Sequence, residues 1–262
     1  MSLLMAPWHR ALAFAFAVLI WSGQALAADI HVVTSGGFTA AYKLLVPLFE
    51  QATGHRVISA YGASMGNAAD AIPNRLARGE RFDIVILADS GLAALQREGR
   101  VQPDSRVDLG RSLIGAVVRK GTEPRPDVST VEGLRQALLD ARSIAYSASA
   151  SGTYLSTELF QRLGVAEQVK GKAHRILSER VGAVVLRGDA DLGFQQVSEL
   201  LPFTQLDFLG PIAAEAQQRV FFSAGLTADA REPEAARQLI QFLASPAAAP
   251  IVRITGLEPA GQ

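Results

Sequence analysis

The stretch IHVVTSGGFTAAYKLLVPLFEQA, residues 30–52, reads as strand, small-residue loop and helix. Residues 30–34 form a short apolar, β-branched run with the character of a buried strand. Ala41, Leu44, Leu45, Leu48, Phe49 and Ala52 then recur at the spacing of one helix face, which predicts a helix over 40–52. Pro47 falls inside that face and predicts a kink. Between strand and helix lies Thr34-Ser35-Gly36-Gly37.

The same unit recurs outward from this stretch. Val57–Tyr61 reads as a second strand, followed by a helix over 67–78 that Gly79 ends. Asp83–Ala88 reads as a third, fully buried strand, and Asp89-Ser90 caps a helix that stops near Gly99. Residues 111–120 form a strand, and Gly121–Pro126 reads as loop. A helix over 131–141 begins after Thr130. A strand at 143–147 and a helix at 152–163 follow, then a short helix at 180–187 and strands at 191–195, 206–209 and 219–224. Two helices near 232–244 and 247–254 complete the chain.

Repeated β-α units imply an α/β fold with mostly parallel sheets flanked by helices. No low-complexity linker is visible, so two lobes would be joined through ordered strands near Asp108–Leu113 and Gln217–Ser223. The expected division is residues 28–111 and 219–262 in lobe I and 112–218 in lobe II, with a ligand cleft between them.

Residues 1–27 carry a different signal. Trp8, His9 and Arg10 close a short leading segment, Ala11–Trp21 is apolar, and Ala25-Leu26-Ala27 has the small-x-small pattern of a cleavage site. The apolar run is shorter than the about 18 residues a spanning helix needs. A cleaved leader, export to the periplasm and no stable membrane association are expected. Net charge is zero over 262 residues, which gives no electrostatic footprint for nucleic acid. The chain has no cysteine, which excludes disulfides, thiolate catalysis and zinc–thiolate sites. The four His share no metal-ligand spacing, so a metal site is not expected.

Ligands in open α/β sheets bind beyond the carboxyl ends of strands. Four small-residue segments occupy such ends: Thr34–Gly37, Gly62-Ala63-Ser64-Met65-Gly66, Ser147-Ala148-Ser149-Ala150-Ser151-Gly152 and Gly193-Phe194-Gln195-Gln196. The first three precede helices, whose free N–H groups and dipole favour an anion. Each alone reads equally as an ordinary cap; three together point to an anion cleft. Candidate ligand groups are Ser35, Gly36, Gly37, Ser64, Ser147, Ser149, Ser151, Gln195 and Gln196. Arg75 and Arg180 join them because a guanidinium pairs bidentately with carboxylate, although a solvated surface position explains either equally well. Tyr42, Tyr61, Tyr146 and Tyr154 lie in or beside these segments, as ligand groups or as strand-end packing. No Gly-x-Ser-x-Gly or phosphate-loop pattern occurs.

These segments make the chain resemble the periplasmic molybdate-binding proteins over residues 30–255. The resemblance rests on Thr34-Ser35-Gly36, on Gly62–Gly66, on Asp83–Asp89 and on Gly188-Asp189-Ala190-Asp191-Leu192-Gly193. It implies a two-lobed, hinge-closing type II periplasmic-binding-protein fold. Two positions depart from that family: Gln196 stands where it carries Tyr, and the middle loop is Ser-rich. The chain is similar in longer strings to the bacterial aconitate isomerases, an exported group on the same receptor frame. Those strings are Ser35–Tyr42, Ala71–Glu80, Ile144–Ser147 and Leu192–Pro202.

This second resemblance implies interconversion of trans- and cis-aconitate, a tricarboxylate, by an allylic proton shift without a cofactor. The helix N-termini at Ser35, Ser64 and Ser149/Ser151, with Arg75 or Arg180, would stabilise the carbanion. Tyr146, Tyr154, His31 and Asp89 are candidates for the base by position, and Tyr146 is the choice among them. The alternative is a binding protein that delivers a tricarboxylate, or an oxyanion such as molybdate, to an ABC permease.

Overall fold

A computed structural model describes residues 27–261. The leader expected over 1–27 lies outside the described residues apart from Ala27. The chain runs β1 (Asp29–Ser35), α1 (Gly36–Thr53), β2 (Arg56–Gly62), α2 (Ile72–Ala77), β3 (Ile84–Ala88), α3 (Asp89–Arg97) and β4 (Val107–Ser112). It continues through β5 (Ile114–Arg119), α4 (Val131–Asp140), β6 (Ile144–Ser147) and α5 (Ala150–Tyr154). A π-helical turn at Leu155–Leu159 leads into α6 (Phe160–Arg162), followed by α7 (Ala166–Val169) and β7 (Ala173–Ile176). Then come α8 (Val181–Arg187), β8 (Leu192–Gln196), α9 (Val197–Leu200) and β9 (Leu206–Pro211). The chain closes with β10 (Val220–Leu226), α10 (Pro233–Leu243), α11 (Ala249–Ile254) and β11 (Glu258–Pro259).

The strands form two sheets, ordered β11-β4-β10-β3-β1-β2 and β7-β6-β8-β5-β9. The first takes strands from both ends of the described chain; the second takes only the middle. Each is mixed, which corrects the expectation of mostly parallel sheets. β3-β1-β2 and β7-β6-β8 are parallel, whereas β10, β4 and β11, and in the second sheet β5 and β9, pair antiparallel. The reason is the crossing itself. A strand that leaves one lobe for the other cannot come back through a helical crossover, and it enters its sheet against the local direction.

The expected strand at 111–120 is in fact two strands in two sheets, parted at Leu113. The return crossing spans residues 212–219. The side chain of Gln217 clamps both crossings. Its Oε1 accepts from the Ile114 N–H at 2.9 Å, and its Nε2 donates to the carbonyls of Ile114 and Ile212 at 2.8 and 3.1 Å. Leu113 also accepts from the Val197 N–H at 2.9 Å, which ties the start of α9 to the crossing.

Each sheet is packed on both faces. In the first lobe Ile30, Val32, Phe38, Leu45 and Phe49 pack with β10 and α10, while Val33, Val85, Leu87, Leu92 and Leu95 fill the other face. In the second lobe Ile114, Leu134, Ile144, Leu159 and Phe194 form one core, and Val117, Val181, Val185 and Leu206 the other. α1 begins at Gly36, four residues earlier than expected, and continues through Pro47, which lies on its exposed side. α2 is shorter than the expected 67–78. Residues 63–71 stay in a loop that Asn74 holds by donating to the carbonyls of Gly66 and Ala68. Pro73 then sits where a first helical turn accepts proline. Among the described residues no helix is long and apolar enough to cross a membrane.

Asp83 joins three distant segments. Its Oδ2 accepts from the His31 N–H at 2.7 Å, and its Oδ1 from those of Arg231 and Glu232 at 2.6 and 3.1 Å. Asp83→Ala would leave these donors without their partner. It is expected to cost about 3 kcal/mol, seen as a lower urea midpoint at unchanged slope. A loss below about 0.5 kcal/mol would show that the buried carboxylate does not hold β1 to the start of α10.

Candidate functional site

The carboxyl ends of β1, β2, β6 and β8 converge on a cleft between the sheets. Gly36, Gly37, Thr39, Lys43, Tyr61, Gly62, Ser64 and Asp70 line it from one side. Ser147, Ser149, Ser151, Ser178, Glu179, Arg180, Gln195, Gln196 and Glu199 line it from the other. Of the residues singled out from sequence, the structure gathers Gly36, Gly37, Ser64, Ser147, Ser149, Ser151, Arg180, Gln195 and Gln196 at this wall.

The hydroxyls are held in defined roles. Ser64, 1% exposed, accepts from the Ala88 N–H at 2.9 Å, so its own O–H is left to donate elsewhere. Ser147 and Ser151 lie 3.3 Å apart between oxygens, and the Ser149 N–H approaches the Ser147 oxygen at 3.3 Å. Ser35 is the N-cap residue of α1, but its side chain makes no capping bond. Its hydroxyl is buried without a partner immediately behind Gly36. Gln196 is 2% exposed, and neither its amide oxygen nor its amide nitrogen has a hydrogen-bond partner. A buried amide left this way costs free energy unless a ligand satisfies it. Gly193–Gln196 belong to strand β8, one residue beyond the expected strand end at 195, and the two glutamines end it at the cleft.

Six of the other candidates fall elsewhere. Arg75 directs its fork away: Nε and Nη2 meet Glu80 at 2.8 and 2.7 Å, Nη1 donates to the Tyr61 carbonyl at 2.9 Å, and the group lies over the Phe82 ring. It therefore braces the end of β2 and does not line the cleft. Tyr154 is in the second-lobe core, where its hydroxyl donates to the Ala216 carbonyl at 2.9 Å and accepts from Arg162 at 2.8 Å. Tyr146 belongs to the same core, edge-on to Phe160, and is not among the lining residues. Ile144 and Tyr146 share one face of β6, and it is Ser147 on the opposite face that reaches the cleft. Tyr42 is buried against Ser59, and its hydroxyl is pushed well above the ordinary phenol range by that burial. Only Tyr61 of the four tyrosines lines the cleft. His31 is exposed on β1, and Asp89 is the first residue of α3 rather than its cap.

The wall also holds groups that motif reading passes over. Lys43, about two turns into α1, lies with its ammonium 5.0 Å from the centre of the Tyr61 ring. Glu179 is engaged by Arg187, which holds its carboxyl below the ordinary range. Glu199 on α9 is the distinctive group. Burial pushes its carboxyl up to about 7, against the opposing influences of Arg180 and of the Gln195 amide that donates to it at 2.9 Å. No motif announces Glu199. The only signal was its place in the string Leu192–Pro202, one turn after the glutamine pair.

Several known proteins are similar to this chain. The family described as bacterial extracellular solute-binding protein matches residues 30–258. A Pseudomonas sp. protein named aconitate isomerase is 44% identical over 247 residues, covering 93% of this chain and 94% of that one. The molybdate-binding protein ModA of Azotobacter vinelandii is 25% identical over 88% of this chain and 90% of its own. Among solved structures, the periplasmic molybdate-binding protein of Azotobacter vinelandii superposes with a TM-score of 0.71. It is 21% identical, over 87% of this chain and 98% of that one. That likeness is one of fold: a two-lobed, type II periplasmic binding protein.

The raised Glu199 value has a consequence for stability. A carboxyl whose folded pKa lies above its unfolded value of about 4.5 stabilises the fold at low pH, and that contribution is lost as pH rises through about 7. Glu199→Gln removes the charge and is expected to stabilise at pH 8 by roughly 2 kcal/mol, discounted for partial solvent access, with the difference gone by pH 4. Thermal unfolding at the two pH values checks this. Equal melting temperatures at pH 8 would place Glu199 in an ordinary solvated environment.

Proposed function

The chain belongs to the bacterial extracellular solute-binding protein family, and from that premise we propose that it is an isomerase interconverting trans- and cis-aconitate in the interlobe cleft, without a cofactor. The observation that carries the reading is the 44% identity, over nearly the full length of both chains, to a protein named aconitate isomerase. The cleft chemistry fits a tricarboxylate. Arg180 and Lys43 supply cationic charge. Ser64, Ser147, Ser149, Ser151 and the unpartnered Gln196 supply neutral donors, and the N-terminus of the 18-residue α1 adds backbone N–H groups at Gly36 and Gly37.

The reaction needs a proton moved and nothing else. The C–H bond of the substrate methylene breaks, and its electron pair becomes part of a new C=C. The former C=C electrons spread into the adjoining carboxylate. A proton then adds to the former vinylic carbon, two carbons from where it left. Charge builds on a group already carrying three carboxylates, so donors fixed before the reaction lower the barrier most. Lobe closure would exclude water from the carbanion.

We place the working protein in the periplasm, after removal of residues 1–27. The family description supports the location, and the expected mature end is anchored: Ala28 donates its N–H to His55 Nδ1 at 3.1 Å, and its carbonyl accepts from Arg56 at 2.9 Å. The second reading, a receptor serving an ABC permease, has the ModA relative in its favour.

Purified protein incubated with trans-aconitate and no added metal is expected to yield cis-aconitate by NMR. Tight binding of trans-aconitate or molybdate with no turnover at high protein concentration would replace the isomerase by the receptor. Arg180→Gln is expected to raise KM by about 10- to 100-fold, as for loss of a charge-assisted contact. An unchanged KM would remove Arg180 from the binding set.

A further inference from the structure

Glu199 is set differently from every other acid of the cleft. It stands on α9, in the second lobe, yet its carboxylate meets the first lobe. A side-chain carbon built on Gly36 would collide with Glu199 Oε1. The neighbouring Ser198 is buried and donates its hydroxyl to the Gly37 carbonyl at 2.6 Å. The carboxylate is therefore carried across the mouth of the cleft to the first turn of α1. Its orientation is set from behind by Gln195, which is 4% exposed. The Gln195 Oε1 accepts from the Val181 N–H at 2.9 Å, and its Nε2 donates to Glu199 Oε1 at 2.9 Å.

We propose that Glu199 is the base that carries the proton between the two carbons of the substrate, and that Gln195 is the residue that positions it. The proposal rests on the isomerase reading of the same cleft. The carboxylate takes the methylene proton, forming O–H as C–H breaks. The resulting carboxylic acid gives the proton to the former vinylic carbon and returns to carboxylate. A single group does both, so the transfer stays on one face of the substrate and needs no second acid. No oxidant, reductant or co-reactant enters.

The chemistry agrees with the setting. A group that must both take and return a proton near neutral pH works best when its own pKa lies there. Burial pushes the Glu199 carboxyl to about 7, and Arg180 and Gln195 keep it from rising further. Lys43 and Tyr61 on the first-lobe side, and Asp70 and Glu179, face the same space. The other acids do not share this environment: Glu179 is held by Arg187, and Asp70 is exposed. Tyr146, the choice from sequence, is turned into the core.

The test uses the full mature protein, trans-aconitate as substrate and tricarballylate, the saturated tricarboxylate, as a ligand that cannot isomerise. Glu199→Gln keeps the side-chain shape. It is expected to lower kcat about 1,000-fold, within the range for loss of a general base, while the Kd for tricarballylate changes less than tenfold. Wild-type kcat/KM should fall tenfold per pH unit on the acid side of an apparent pKa near 7. That limb should be missing from the residual activity of Glu199→Gln. Gln195→Ala should shift it to higher pH, because the amide that favours the ionised form is gone. In deuterated solvent, wild-type product should retain part of the substrate-derived proton.

Wild-type turnover with Glu199→Gln within threefold of it would overturn the proposal and leave the isomerase reading intact. Equal losses of turnover and tricarballylate binding would do the same, by making Glu199 a binding residue. No wild-type turnover would sink the isomerase reading itself.

Discussion

Two glycines without side chains at the start of α1 set how close the lobes come. Gly36 and Gly37 follow directly on β1, and α9 of the other lobe settles on them: Ser198 donates to the Gly37 carbonyl, and Glu199 packs on Gly36. Phe222 of β10 closes the seam from below, where any side chain on Gly37 would strike its ring. A Cβ at Gly36 would meet the Glu199 carboxylate and hold α9 off. The unpartnered Gln196, one residue before α9, would then open to solvent rather than to the cleft. The seam thus joins the packing of the lobes to the chemistry of the site. One constraint, backbone approaching side chain without a Cβ between them, serves both.

The frame beneath the seam follows from similarly local causes. Leu113 separates β4 from β5, and residues 212–219 bring the chain back; Gln217 binds both crossings through one amide. Because α9 is hydrogen-bonded to Leu113 through Val197, movement at the crossing would carry Glu199 with it. A hinge coupled in this way would move the cleft carboxylate relative to α1 as the lobes open and close, a means by which a two-lobed protein can shield a reactive group from bulk water.

Much of this architecture is legible in the chain. The strands at 30–34 and 83–88, the helix over 40–52 and the cap at Thr130, which accepts from the Gly133 N–H at 3.0 Å, appear where periodicity and capping place them. Of the expected helix face, however, only Ala41, Leu45 and Phe49 are buried, while Leu44, Leu48 and Ala52 face outward. A crossing near Asp108–Leu113 is expected from the sequence, but the break at Leu113 itself is not legible, because residues 111–120 read as one strand and only pairing partners separate β4 from β5. The Ser and Gly segments lead to the cleft because a ligand wall at strand ends needs small residues and free donors. Arg75 and Tyr154 mislead for an equally physical reason. Their polar ends are used up by Glu80, the Tyr61 carbonyl, Arg162 and the Ala216 carbonyl. Tyr146 misleads through the parity of β6, which puts Ser147 rather than its neighbour on the cleft side. Glu199 was hidden because a glutamate in a four-residue helix has the look of a solvated surface acid. Its environment is made by Gly36, Arg180 and Gln195, from three other elements.

A receptor and an isomerase built on this frame ask different things of the same wall. A receptor gains most from donors that match the bound anion and from the absence of any group that competes for it; a buried carboxylate opposite an anionic ligand is a cost. An isomerase needs that carboxylate, and it tolerates weaker ground-state binding because only stabilisation gained in the transition state speeds the reaction. The cleft described here keeps the neutral hydroxyl and amide donors suited to an anion, and it places one protonatable acid among them beside a single guanidinium. Repulsion between ionised Glu199 and a trianionic substrate falls when the acid takes up the methylene proton, while the charge moves onto the substrate, towards Arg180, Gln196 and the start of α1. The arrangement is therefore better matched to the charge distribution after proton transfer than before it, and that difference is what separates turnover from binding on a shared fold.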